Sequence, residues 1–357
     1  MPQTLSLKQK FNWAANQPPG WREDSFTNEF DNRLRYGFAP ATTPEKNGTI
    51  VLTHGYGEFI DLYYEAIREY QKMGYDVWAM DFYGFGKSGR DDPENPHTPS
   101  TKGMLRHVRD LDYFTKNVVE RVPGKPLLMS THSMGGHIGL MYLQKHPEVF
   151  DGAVMSAPMF DIFRFDLPKA FRPVIRGIFN AASFLGLRDT PIPASPAFFN
   201  KVTHASDAIL NSSGGMRETF NKMMRAALPG TQVSRPTFGW VAKAFSTIAR
   251  STTDEALRSV KTPILIGSAG IESLVDNNTH EKAARLMPNA TLVKLPTAQH
   301  GLWFEDNGNY DLWLKNVKAF TGKVATNYEL AHADPSRTAE RDDIAKIQPL
   351  NPPSLHL

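Results

Sequence analysis

The sequence predicts an α/β fold: a mostly parallel sheet flanked by helices, with a helical cap inserted into it. Three observations carry this. Short β-branched apolar runs alternate with helix-length segments from Thr49 to Ser156. The alternation stops at Ala157-Pro158 and resumes at Pro263. The chain has 357 residues, 41% hydrophobic and 22% charged, enough to bury a sizeable core.

Taken in order, residues 1–48 are a polar N-terminal extension with Pro18-Pro19-Gly20 and Pro40 to Pro44, suited to wrapping the body or forming an edge hairpin. Thr49 to Thr53 reads as a buried strand, ended by His54-Gly55. Asp61 is placed to N-cap a helix running to Met73, with Gly74 as its stop. Tyr75 to Asp81 is a second strand, followed by a Gly- and Pro-rich loop to Pro99 and a helix over Thr101 to Val122. Pro126 to Thr131 is a strand, Met134 to His146 a helix, and Phe150 to Ser156 a strand. Strands and helices alternating in this way imply right-handed βαβ units and a parallel sheet. From 160 to 250 there are helix-like stretches and prolines but no clear buried strand, and this is the predicted cap. The pattern returns with a strand at Pro263 to Gly267, a helix after Asp276, a strand at Thr291 to Leu295, and a helix from Asp306 to Phe320. The core is therefore expected over 49–159 and 251–325, with a loosely held tail over 326–357 that carries Pro335, Pro349, Pro352 and Pro353.

Composition excludes several classes. Lys+Arg is 40 against 37 Asp+Glu, so a basic body for nucleic-acid binding is not expected. Cysteine is absent, which removes disulfides, thiolate metal sites and a cysteine nucleophile. No apolar run is long enough for a bilayer, and Met1 to Gln17 has no apolar segment after its lysines. The expected location is the cytoplasm, and peripheral attachment at the inner membrane surface is the alternative.

The strongest chemical signal is Ser130-Thr131-His132-Ser133-Met134-Gly135-Gly136, where a strand ends and a helix begins. A serine on a strand-to-helix elbow exposes its hydroxyl, and small flanking residues are needed because the turn leaves no room. Thr131 stands where the first glycine of G-x-S-x-G would be. A serine here could also be a plain helix N-cap. A serine hydroxyl needs a base, and His300, in the loop after the last strand, suits that role. His132 and His137 flank the elbow, and packing roles are expected of them. The base in turn needs a carboxylate to orient it. Glu272 and Asp276 both lie between Gly267 and the next helix, and residue physics leaves the choice open, since Asp276 can also cap that helix. In His54-Gly55-Tyr56-Gly57-Glu58 a glycine-rich turn can aim a backbone N–H at an oxyanion; the expected donors are the N–H groups of Tyr56 and Met134.

These motifs occur in order with Gly84-Phe85-Gly86-Lys87-Ser88-Gly89-Arg90 and Ser156-Ala157-Pro158-Met159-Phe160. Together they resemble the α/β-hydrolase branch of monoacylglycerol lipases and bacterial lysophospholipases, the serine aminopeptidase-like hydrolases. The resemblance covers Thr49 to Thr321, including Thr203-His204 and Phe238-Gly239-Trp240-Val241 in the cap. It implies a triad of Ser133, Glu272 and His300, because Glu272-Ser273-Leu274-Val275-Asp276-Asn277 fits the branch pattern with Glu272 at the acid position; Asp276 is the runner-up. It implies ester hydrolysis through an acyl-enzyme with no cofactor and no metal, on a single-chain lipid ester. A carboxylesterase or aminopeptidase with the same triad, an acyltransferase and a non-catalytic lipid-binding protein are the alternatives.

Gly84 to Gly89 is also a literal G-x-G-x-x-G after a strand. A dinucleotide fingerprint needs a helix to open at the third glycine, and Arg90-Asp91-Asp92-Pro93 follows instead. A loop tied down by Asp81 is expected. The cap segment 161–245 holds 11 basic and 5 acidic residues interleaved with Phe163, Phe165, Phe171, Phe179, Phe184, Phe198, Phe199 and Phe220. It reads as a lid that fills its own core, lines an acyl tunnel, or turns its basic residues to anionic lipid.

Overall fold

All six expected strands form, and they are hydrogen-bonded in one parallel array. The computed structural model describes residues 14–162, 172–192 and 215–333, together with Gln9 and Asn12. The strands are β1 (Arg22–Thr27), β2 (Arg33–Ala39), β3 (Gly48–Thr53), β4 (Tyr75–Met80), β5 (Leu127–His132), β6 (Gly152–Ser156), β7 (Ile264–Ile271) and β8 (Ala290–Gln299). Their order across the sheet is β1-β2-β4-β3-β5-β6-β7-β8. The pairs from β4 to β8 are parallel, whereas β1 and β2 join as an antiparallel hairpin on β4. The edge hairpin expected of the N-terminal extension thus lengthens the sheet.

Every residue of β3 to β6 is buried, as a sheet covered on both faces requires. Alternate side chains divide between two cores. Val51, Trp78, Met80 and Met129 face one side, with helices α2 (Met104–Asn117) and α3 (Met134–Lys145) packed there. Ile50, Leu52, Val77 and Leu128 face the other, under α1 (Tyr64–Lys72) and the long C-terminal helix. Between β6 and β7 lie α4 (Arg172–Ala182), a π-turn Ser183–Leu187, α5 (Met216–Ala227), α6 (Phe238–Ser251) and α7 (Asp254–Arg258). Helix α8 (Asn277–Leu286) joins β7 to β8, and α9 (Asn307–Ala333) closes the described chain.

Several expectations need correction. Asp61 caps nothing: residues Ile60–Tyr63 form a 3₁₀ turn before α1, and the Asp61 carboxylate is drawn to Arg35 Nη1 at 2.6 Å and Lys87 Nζ at 3.2 Å. The helix expected over Thr101 to Val122 is the shorter α2, which starts after Gly103 at φ +97°. Strands β7 and β8 run past their apolar stretches, to Ile271 and Gln299. Residues 326–333, expected in the tail, are the last turns of α9, and 334–357 lie outside the described residues. Within the segment between β6 and β7, where a cap is expected, Phe179 and Phe220 are buried while Phe184 is exposed; Phe163, Phe165, Phe171, Phe198, Phe199, Thr203 and His204 lie outside the described residues. The Gly84 to Gly89 loop is tied to the end of β4 as expected: Asp81 Oδ2 accepts the Lys87 N–H at 2.9 Å, and its Oδ1 accepts the Ile60 N–H at 2.8 Å. No helix begins at Gly89, so no helix N-terminus faces a phosphate there.

Candidate active site

Ser133 is the one residue between β5 and α3, with φ +49° and ψ −114°. A left-handed backbone at a non-glycine residue is strained, and it persists here because neighbours hold it on both sides. Its N–H donates to the Ser156 carbonyl at 3.0 Å, and its carbonyl accepts from Met159 and Gly136 N–H at 2.8 and 2.9 Å. The glycines after it are needed for room. A Cβ on Gly135 would stand 2.7 Å from the His54 carbonyl, and one on Gly136 would stand 2.5 Å from Pro158 Cβ. Thr131 fits in the first-glycine position because its side chain is buried in the sheet, with Oγ1 3.4 Å from the Val154 carbonyl. Ser133 makes no side-chain capping bond to α3, so its hydroxyl is left for other work.

That hydroxyl lies 2.9 Å from His300 Nε2, and His300 Nδ1 lies 2.8 Å from Glu272 Oε2. A carboxylate only accepts, so Nδ1 carries the proton and Nε2 of the neutral ring is free to take the serine proton. The other Glu272 oxygen is fixed by the backbone: Oε1 accepts N–H groups of Ser273 and Leu274, both at 2.8 Å. Asp276 instead caps α8, its Oδ1 accepting the Asn278 N–H at 2.9 Å. Of the two candidate carboxylates, Glu272, which the resemblance favours over Asp276, is therefore the one on the histidine. Glu272 reaches it because β7 continues to Ile271 through a bulge between Ala269 and Ile271. Burial alone would raise the Glu272 carboxyl, but the adjacent His300 and the Leu274 N–H hold it below the ordinary range. Burial alone would lower His300, but Glu272 outweighs it and keeps the imidazole above the ordinary histidine value.

The loop after β3 lies against the elbow, since a Cβ on Gly55 would be 3.1 Å from Ser133 Cβ. His54 Nδ1 donates to the Gly55 carbonyl at 2.7 Å, which fixes the peptide plane that carries the Tyr56 N–H. Among the described residues neither the Tyr56 N–H nor the Met134 N–H meets a protein acceptor. Two unpaired backbone donors beside a serine are what an oxyanion needs.

Two neighbours go beyond the sequence reading. His132 does more than pack: its ring centroid is 4.9 Å from that of His300, and its Nε2 is 3.6 Å from Glu58 Oε1. Burial pushes the His132 pKa down to about 4, so the ring stays neutral beside the base. Glu58 is buried, accepting the Tyr63 hydroxyl at 2.5 Å and the Gly55 N–H at 2.7 Å. Its place in the His54 to Glu58 motif was the available signal. His137 does pack, with Nε2 2.9 Å from Thr247 Oγ1 in α6. Among the described residues no group of three or more His, Asp or Glu is placed to hold a metal ion. Nor is any described helix long and apolar enough to cross a membrane.

A mostly parallel sheet, with a strained serine at the end of its central strand and a histidine–carboxylate pair on the loops after β7 and β8, defines an α/β-hydrolase. The sequence profile of the family described as serine aminopeptidase, S33, matches residues 44–307, and the chain belongs to that family. Lysophospholipase L2 of Escherichia coli (strain K12) is 28% identical over 281 residues, covering 74% of this chain and 76% of that protein. A monoacylglycerol lipase of Mycolicibacterium smegmatis is 31% identical over 144 residues, 38% of this chain and 46% of that protein. Among solved structures, a soluble variant of monoglyceride lipase from Saccharomyces cerevisiae superposes with a TM-score of 0.65 at 17% identity, covering 91% of this chain and 99% of that one. That last likeness bears on the fold alone.

Proposed function

We propose that the protein hydrolyses carboxylic esters of single-chain lipids through an acyl-enzyme. The observation that carries this is His300 bridging Ser133 Oγ and Glu272 at 2.9 and 2.8 Å. Ser133 Oγ attacks the ester carbonyl while His300 Nε2 takes its proton. The imidazolium so formed is stabilised by Glu272. Charge builds on the carbonyl oxygen, and the N–H groups of Tyr56 and Met134 receive it. His300 then protonates the leaving alcohol, and the acyl group remains on Ser133. Water enters, gives its proton to His300 and attacks the acyl-enzyme; the fatty acid leaves and Ser133 regains its proton.

A lysophospholipid or a monoacylglycerol is the substrate class favoured. The names of the relatives support it, as does the apolar roof above the oxyanion loop, where Tyr56 packs edge-on against Trp240 with centroids 4.6 Å apart. The cap adds a second inference, contact with a lipid surface. Val174, Ile178, Phe184, Leu185 and Leu187 are exposed on α4 and the π-turn, and Arg176 and Arg188 lie along the same segment.

The test is a side-by-side assay of the purified protein and Ser133→Ala on four substrates: a lysophospholipid, a monoacylglycerol, a short nitrophenyl ester and an aminoacyl-arylamide. Serine-dependent release of long-chain fatty acid is expected. Cleavage of the arylamide alone would replace the lipid reading with the peptidase one, and full activity in Ser133→Ala would remove the mechanism.

A further inference from the structure

Two peptide planes flank the Tyr56–Gly57 turn, and they are held from opposite sides. The first, which carries the Tyr56 N–H, is held from the core by His54 Nδ1 on the Gly55 carbonyl at 2.7 Å. The second is held from the cap: Arg225 of α5 donates from Nη1 to the Gly57 carbonyl at 2.5 Å. Between them Gly57 has φ +67°, a conformation that glycine enters and leaves easily, and the turn's own bond from the Glu58 N–H to the Gly55 carbonyl is long at 3.4 Å, so the clamps add to its hold. A further cap tether lies beside them, the Tyr56 hydroxyl donating to the Ser234 carbonyl at 2.8 Å.

Arg225 is an uneconomical residue for packing alone. It is 5% exposed, yet its Nε and Nη2 meet no acceptor among the described residues. Burying a guanidinium with two idle donors lowers stability, and one bond to a carbonyl with a distant stacking on the Phe59 ring, 5.8 Å from its centroid, offsets only part of it. The charge does have a neighbour. Burial would raise the Glu58 carboxyl, but His132, the Tyr63 hydroxyl and Arg225 together hold it below the ordinary range. The guanidinium therefore sits where the oxyanion loop, the Glu58 carboxylate and the cap meet.

We propose that Arg225 is a positioning residue for the oxyanion hole, holding the Gly57 carbonyl so that the Tyr56 N–H stays aimed at the substrate's carbonyl oxygen. Catalytic rate then depends on how α5 of the cap is seated. The inference rests on the acyl-enzyme reading given above. It touches the chemistry only through the loop, so it acts on the tetrahedral state and not on ground-state binding.

The experiment compares wild type, Arg225→Met and Arg225→Lys on a short nitrophenyl ester. Active sites are counted by exhaustive labelling with a nitrophenyl phosphonate, so that only folded protein enters the rate. A misaimed oxyanion donor is worth about 10- to 100-fold in rate. Arg225→Met is expected to lose that factor in kcat per labelled site with KM within about twofold of wild type. The inhibition constant of a short alkyl trifluoromethyl ketone, whose serine adduct carries an oxyanion, should weaken by the same factor. Arg225→Lys, which keeps a donor and the charge, should recover most of the rate. Wild-type kcat per labelled site in Arg225→Met would overturn the proposal and leave Arg225 a structural residue. A shifted acid limb in the pH profile with unchanged ketone inhibition would also overturn it, assigning the effect to His300. An active Ser133→Ala would instead remove the underlying mechanism, whatever the Arg225 variants do.

Discussion

Glu272 Oε2 lies 2.8 Å from His300 Nδ1, while its Oε1 is held by the N–H groups of Ser273 and Leu274. The carboxylate is thus fixed at one oxygen and offered at the other, which orients the imidazole and leaves its Nε2 toward Ser133. Glu272→Gln keeps the shape but allows the wrong tautomer, since the amide can donate to Nδ1. A loss in kcat of about 10⁴-fold is expected, as for a triad whose acid is amidated. Asp276→Asn should stay near wild type, because asparagine caps a helix about as well as aspartate. Steady-state kinetics of the two variants decide the matter. If Asp276→Asn is the crippled one, the assignment of the acid is wrong.

The pH profile follows from the same pair. His300 must be neutral to accept the serine proton, so kcat/KM rises with pH as the free enzyme's imidazole loses its proton. Burial lowers that pKa and Glu272 raises it, with a net rise above the ordinary histidine value of about 6.5. The acid limb of kcat/KM should therefore have its midpoint above 6.5 in the wild type. In Glu272→Gln the larger raising charge is gone, and burial is opposed only by the weaker pull of Glu58, so the midpoint of the residual activity should fall below that of the wild type. A wild-type limb centred lower than a free histidine's would contradict the balance of forces described here.

The sequence was most legible where short-range patterns decide the outcome. The strand-to-helix step at Ser133 was readable because strain, small residues and position coincide within seven residues. The six parallel strands were readable because each is a short apolar run. Long-range charge was not readable. Asp61 looked like a cap because local spacing allowed it; the fold instead brings Arg35 of β2 within 2.6 Å. Residue physics did not separate Glu272 from Asp276, because both follow the same apolar stretch, and only the family resemblance favoured Glu272. The extension of β7 through its bulge, which carries Glu272 to the histidine, has no apolar signature. Arg225 was invisible as a loop clamp, since its partner is a backbone carbonyl in a segment 168 residues away.

That bulge can be tested through Gly270. A Cβ there would stand 2.1 Å from the Pro296 carbonyl oxygen and 2.5 Å from its carbon, both backbone atoms of β8. Neither can rotate away, so Gly270→Ala must spread β7 from β8 near Glu272. A destabilisation of about 2 kcal/mol or more and a fall in kcat are expected. Gly322, in α9, is the control: nothing lies within 4 Å of its would-be Cβ. Gly322→Ala should stabilise by about 1 kcal/mol through helix propensity and leave kinetics unchanged. Urea unfolding and kinetics on the pair provide the check, and equal effects at the two positions would refute the steric account.

The lipid-surface contact makes a prediction separable from catalysis. Phe184 is 90% exposed and Leu185 77%, at a π-turn where Gly186 has φ +92°. Side chains of this size each lose about 1.5–3 kcal/mol of transfer free energy by remaining in water. If both enter a lipid interface, removing either should weaken partitioning to vesicles by about tenfold or more, since 1.4 kcal/mol is a factor of ten. Phe184→Ser and Leu185→Ser are therefore expected to cut sedimentation with anionic vesicles, and hydrolysis of substrate carried in them, by that order. Hydrolysis of a dissolved short ester should not change, because neither residue is part of the Ser133, His300 and Glu272 site. Arg176 lies along the same segment, while the Arg188 guanidinium is turned to the Thr101 carbonyl at 3.0 Å, so the vesicle-dependent rate should fall modestly as salt is raised, while the short-ester rate stays level. Equal loss on both substrates would mean that the turn supports the cap's structure, and unchanged vesicle binding would mean that this face does not meet lipid.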